Sequence, residues 1–188
     1  MRDGLSLDPW SALPAMLSLF IDETTMLKLY RFTDEKKEYW ETWENRDRSH
    51  TIHWGILGTR GESQTLSSQE PGKVEIVIQR EIDARIAEGF RPIEPDAHFP
   101  IIIEYAVEGM GSIDDIDKRQ RLDERMNETL GWTGLGACDG SSMGSGTMEV
   151  FNFVVDFALA KEVIEHDLAG TEFANYTRIY GEESSLDL

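Results

Sequence analysis

Cysteine is nearly absent from this chain: Cys138 is the only one in 188 residues. A lone thiol closes no intrachain disulfide, which excludes the small secreted scaffold held together by bridges. Positive charge is scarce too, with 18 Lys and Arg against 36 Asp and Glu and a formal net charge of −18. Affinity for nucleic acid rests largely on cationic contacts to phosphate, so an acidic body disfavours that class of partner. Nowhere does an apolar run approach the roughly 20 residues that span a bilayer. The apolar patch Leu13 to Ile21 follows a single arginine, Arg2, set against Asp3 and Asp8. Neither the positive flank nor the small-residue cleavage site of a signal peptide is evident, and the expectation is a cytoplasmic protein with no membrane partner. The four histidines show no zinc-like spacing with Cys138 or the carboxylates, so neither a metal nor another cofactor is expected.

What is present is an ordinary apolar fraction of 40%, enough for a packed core. The charge is unevenly spread: positions 1–25 carry a net −3, positions 26–92 a net −1 and positions 93–188 a net −14. Such asymmetry predicts two domains with different surfaces. The boundaries expected are an N-terminal extension at 1–25, a first domain at 26–92, a proline-bearing linker at 93–98, an acidic second domain at 99–181 and a tail at 182–188.

From Met26 to Glu44 the chain alternates and is rich in aromatics. Leu27, Leu29 and Arg31 oppose Lys28, Tyr30 and Phe32. The cluster Asp34 to Lys37 reads as a turn between strands, and Asn45 to His50 as a second. A third strand covers Thr51 to Leu57, a tight turn Gly58 to Gly61, and a fourth strand Glu62 to Leu66. Then the period changes. Val74, Val77, Ile78, Ile82 and Ile86 share a helical face over 73–88, with Gly89 at the C-terminal cap and Pro92 beyond it. The expectation is an antiparallel meander covered by one helix.

The second half opens with an apolar strand, Phe99 to Val107, with Ile101, Ile103 and Tyr105 on one face. Ser112 followed by Asp115 is a capping-box pattern; the helix after it stacks Leu122, Met126 and Leu130. Asp114, Asp115 and Asp117 favour its dipole. A Gly/Ser-rich stretch, Gly131 to Gly146, reads as a connection, with a strand at 132–138 as the variant that completes a pattern. Thr147 to Phe157 is a strand with Phe151, Phe153, Val155 and Phe157 on one side. Asp156 caps a helix reaching Leu168, and Thr171 to Tyr180 is a last strand. With a strand at 132–138 the order is β-α-β-β-α-β, the ferredoxin-like plan. The fold class expected is therefore α+β.

The most specific stretch is Trp54-Gly55-Ile56-Leu57-Gly58-Thr59-Arg60-Gly61, preceded by Tyr39, Trp40 and Trp43 on the neighbouring strand and followed by a helix that ends in Gly89-Phe90. Here positions 26–92 resemble the WGR domain family, named for a Trp-Gly-Arg triplet in a central strand with a Gly-x-x-Gly turn after it. The family's Arg is Ile56 here. In poly(ADP-ribose) polymerases this domain contacts DNA near a break, and the resemblance implies such a role; Ile56 makes no charge-assisted bond to phosphate. Gly55 is expected to admit a neighbouring side chain, a Trp for instance, and Gly58 and Gly61 to take positive φ.

The candidate binding residues are Trp40, Trp43, Arg46, Arg48, Trp54, Arg60 and Trp132. Arg46, Arg48, His50 and Arg60 are expected to gather at one end of the meander, beside Trp40 or Trp43, as a small cationic-aromatic patch. His50 and His53 point to opposite faces. No catalytic constellation stands out, and Asp139 beside Cys138 raises that thiol. Three readings follow: a non-enzymatic binding or regulatory protein that acts on a protein partner, a basic one, in the manner of an inhibitor or immunity factor; a WGR-type nucleic-acid binder; and a small-molecule binder that uses the Gly-rich stretch.

Overall fold

The structure is a computed structural model that describes residues 26–70 and 72–181. The expected N-terminal extension and acidic tail lie outside the described residues. The described chain is α+β, with two antiparallel sheets of four strands each.

Alternation builds the first sheet. Strands β1 (Leu27–Phe32), β2 (Lys37–Glu44), β3 (His50–Ile56) and β4 (Glu62–Leu66) pair in chain order. Register places Leu29 beside Trp40 and Trp40 beside Trp54 on one face, and Tyr30 beside Tyr39 and Tyr39 beside Gly55 on the other. The first face is covered by α1 (Lys73–Ala87), which buries Val74, Ile78 and Ile82 against Leu29, Trp40, Ile52 and Phe90. Val77, expected on the same stripe, is largely exposed. Ile82 lies five residues from it, nearly a half-turn round the helix, which moves Val77 to the flank of the buried face. Gly89 takes φ 96° and lets the chain leave the helix.

The second sheet has the order β6-β7-β5-β8. Its strands are β5 (Phe99–Ala106), β6 (Gly136–Gly144), β7 (Thr147–Val154) and β8 (Arg178–Tyr180), with α2 (Ile113–Trp132) between β5 and β6 and α3 (Phe157–Leu168) between β7 and β8. Ser112 caps α2 in a full capping box with Asp115, and Asp156 caps α3 by accepting from the Leu159 N–H. Both helices cover one face, burying Leu122, Met126, Leu130, Ala160, Ile164 and Leu168 on Ile101, Ile103, Met148, Val150 and Val154.

Three expectations are corrected here. The Gly/Ser-rich stretch is mostly strand: β6 pairs with β7 along its length, with a bulge between Cys138 and Gly140, and it begins at Gly136, since α2 runs on to Trp132. Backbone pairing needs no side chain, and at Gly136 a Cβ would collide with the Phe153 carbonyl. Strand β7 stops at Val154, so Val155 and Phe157, expected on one side of it with Phe151 and Phe153, lie beyond the strand; within it the buried side chains are Met148, Val150, Asn152 and Val154, and the Phe151/Phe153 side faces away from the helices. The last strand is only Arg178–Tyr180, because residues 171–177 are turns that send Phe173 into the core.

The two sheets share a core. Tyr30, Tyr39 and Leu57 from the first sit in the same buried cluster as the second sheet and its helices. The Tyr30 hydroxyl donates to the Gly134 carbonyl at 3.1 Å, and the Gly58 N–H to the Thr133 carbonyl at 2.9 Å. Gly134, at φ 71°, leaves no room for a Cβ because the Tyr39 ring lies on it. The segment expected as a linker is braced as well: Arg91 forms a backbone bridge with Tyr30, and Pro95–Ala97 make one 3-10 turn.

Candidate functional site

The face of the first sheet turned toward the second half is the one that α1 does not cover, and it carries charge. Register sets Lys28 opposite Glu41 and Glu41 opposite His53, three strands contributing one row. Lys28 Nζ lies 2.8 Å from Glu41 Oε2, and His53 Nδ1 lies 2.6 Å from Glu41 Oε1. Glu41 and His53 are buried, at 2% and 1% exposure. The other ring nitrogen, Nε2, is 2.7 Å from the Arg60 carbonyl and 3.0 Å from the Tyr39 hydroxyl. A carbonyl only accepts, so the contact to Arg60 is one that Nε2–H donates. The Tyr39 hydroxyl is also 3.1 Å from the Thr59 carbonyl and 3.3 Å from that of Trp132. Burial, with Glu41 nearby, pushes its ionisation far above the ordinary tyrosine range, so it stays a donor.

The turn that serves this row is Gly58 to Gly61. Its glycines take φ 84° and 61°, as expected from the sequence. Gly55 does admit a neighbour, but that neighbour is Tyr39 rather than a Trp: a Cβ there would sit 2.7 Å from Gly61 Cα and 3.1 Å from the Tyr39 hydroxyl oxygen.

Aromatic rings close the row. Trp43 meets Trp132 edge to face with centroids 6.4 Å apart, and His53 lies 4.8 Å from Trp132. Beside them is a recess of about 320 Å³ whose walls include Lys28, Glu41, Trp43, Asn127 and Trp132. A larger recess of about 670 Å³ adjoins it across Lys28 and Ala137, and it is lined further by Asp96, His98, Asp139 and Phe153. Both lie where the two sheets meet.

Of the seven residues picked from the sequence, Trp43 and Trp132 are brought together here. Trp40 is buried under α1 and Trp54 packs beside it, on the far side of the sheet. Arg46 and Arg48 are exposed in the β2–β3 turn, and Arg60 is exposed in the β3–β4 turn, paired with Glu128 Oε1 at 2.9 Å. These turns lie at opposite ends of β3, about 20 Å apart at roughly 3.3 Å per residue, so the arginines do not converge. The residues that sequence reading passed over are Lys28, Glu41, His53 and Asn127. A signal for Glu41 was available: strand alternation puts it between Tyr39 and Trp43 on one face, and a carboxylate between two aromatics in a buried strand demands partners.

Among the described residues no group of three or more His, Cys, Asp and Glu is placed to hold a metal ion, and no helix is long and apolar enough to cross a membrane. Compared with known proteins, the chain matches no family of known sequences, no curated protein and no solved structure. The fold and the site define a class: two antiparallel sheets with covering helices, joined over a buried charged row.

Proposed function

We propose that the protein is a non-enzymatic binding module that recognises a basic protein segment, as an inhibitor or immunity-type factor would. The observation that carries this reading is the face of the second sheet opposite its helices. Ile102, Phe151 and Phe153 lie there in neither core cluster, and Phe153 is 42% exposed. Glu149 stands on the same face, Asp139 projects from the adjoining bulge, and Arg178 is occupied by Glu104 at 2.6 Å. Apolar side chains beside uncompensated carboxylates suit a partner that alternates basic and apolar residues. A catalytic role for Cys138 is disfavoured, because burial raises its thiol and Asp123 and Asp139 raise it further.

The finer fold assignments belong to this proposal. A WGR-like first half is supported by the meander order, the Gly58 to Gly61 turn and the Gly89-Phe90 helix end; Ile56, at the family's Arg position, is 46% exposed. A ferredoxin-like second half is supported by the strand order β6-β7-β5-β8 with both helices on one face.

The test is a titration of isotope-labelled protein with a synthetic peptide alternating arginine and valine, followed by amide shifts. Saturable shifts confined to β5, β6 and β7, weakened by salt and reduced several-fold by Glu149→Gln and by Phe153→Ser, are expected. If the peptide gives no saturable shift, and a nicked DNA duplex binds in a manner lost on neutralising Arg46, Arg48 and Arg60, the nucleic-acid reading replaces this one.

A further inference from the structure

The smaller recess at the junction of the sheets has a charge balance of its own. Glu41 divides its two carboxylate oxygens between two partners, Oε1 to His53 and Oε2 to Lys28. Lys28 is thus a cation whose carboxylate partner is shared with a second group. Among the described residues Glu41 is its only ion-pair partner. Lys28 Nζ is held in place, because Glu41 is itself fixed from the other side by His53, and His53 by the Arg60 carbonyl. The adjoining walls are the indoles of Trp43 and Trp132 with the Asn127 side chain. A volume of about 320 Å³ falls at the lower end of the range, roughly 300–1,000 Å³, that takes small organic ligands.

From this juxtaposition we infer that the recess bounded by Lys28, Trp43, Asn127 and Trp132 is a binding site for a small organic anion with a planar apolar body. The anionic group meets the Lys28 ammonium, and the ring lies against the indoles. Asp96 and Asp139 line the larger recess next door, so the anion is placed in the smaller one and the ligand's apolar end points toward Ala137. A cation of the same shape meets Lys28 with like charge and is rejected. The site borders the open face of the second sheet at Ala137, which pairs with Phe153 there, but it rests on Lys28 and the two indoles rather than on Glu149 and Phe153, and its probes test it separately from the partner proposed there.

The probe is 1-naphthoate, with 1-naphthylmethylamine as the same ring system carrying the opposite charge. Each is titrated into the full chain while the indole N–H resonances are followed by NMR. Naphthoate is expected to shift the Trp132 and Trp43 signals saturably and to leave Trp40, buried on the far side of the sheet, unmoved. Lys28→Gln is expected to weaken binding about ten-fold, the scale of one charge-assisted hydrogen bond, while Lys28→Arg retains it. The Trp40 resonance, unchanged in both variants, shows that the sheet is still folded. The inference is overturned if the amine binds as tightly as the carboxylate, if Lys28→Gln binds naphthoate as the parent does, or if neither probe gives a saturable shift. The arginine-valine peptide titration is unaffected by any of these results, so the two proposals fail separately.

Discussion

Glu41 is paired with both Lys28 and His53 while almost wholly hidden from water. Its two oxygens are divided, one to Lys28 and one to His53, and each partner is anchored elsewhere or reaches the surface. Removing one member of a buried charged set leaves the others desolvated and unpaired, which costs about 3–5 kcal/mol. Glu41→Ala is therefore expected to lower unfolding free energy by about that amount, read from urea denaturation monitored by circular dichroism. A loss below about 1 kcal/mol, the median for a surface pair, would mean that water reaches the row. At this scale the sequence was readable for glycine and much less so for charge. Gly58 and Gly61 announce their turn, since only glycine takes positive φ without strain. Lys28, Glu41 and His53 sit 13 and 12 positions apart along the chain, and only strand register makes them neighbours.

At the scale of the element, α2 and β6 make a contrast. The helix carries its own instructions: Ser112 and Asp115 satisfy each other's backbone N–H groups, and Leu122, Met126 and Leu130 are all fully buried at the expected spacing. Ser112→Ala is expected to cost about 1 kcal/mol, the usual worth of an N-cap, with the loss visible as earlier thermal melting of helical ellipticity. An unchanged melting curve would show that the helix start is held by packing alone. Strand β6 carries no such instruction. Its sequence, GACDGSSMG, has low strand propensity. It is a strand because β7 offers a paired edge and because its inward Cys138, Ser141 and Met143 find room over α2, Ser141 donating to Asp123 Oδ2 at 2.6 Å. The same contrast explains β7. Its two faces are both apolar, so alternation marked a strand and left open which side the helices would cover.

For the molecule as a whole, the decisive contact is Tyr39 against Gly134. The ring belongs to the first sheet and the glycine to the turn after α2, and with Tyr30 and Leu57 they place both halves in one buried cluster. The arrangement predicts one cooperative unfolding event. Scanning calorimetry is expected to give a single transition whose calorimetric and van't Hoff enthalpies agree; two resolved peaks would mean that the halves are independent. Tyr39→Ala is expected to cost about 3–5 kcal/mol, the range for deleting a large buried aromatic. The proline-bearing segment between the halves spans a fixed joint, because Arg91 is paired to Tyr30 at one end and Phe99 enters β5 at the other.

By itself the sequence determined the α+β class, the meander and its covering helix, the capped start of α2 and the Gly58 to Gly61 turn. All of these rest on local period, caps and backbone freedom, which a short window contains. Tertiary structure alone decided that β6 is a strand, that the phenylalanine side of β7 faces outward, and that Lys28, Glu41 and His53 form one row between the sheets. Each of those depends on which backbone or face lies opposite. That is settled by the pairing of distant strands and by the exclusion of water between them, neither of which is written in the spacing of neighbouring residues.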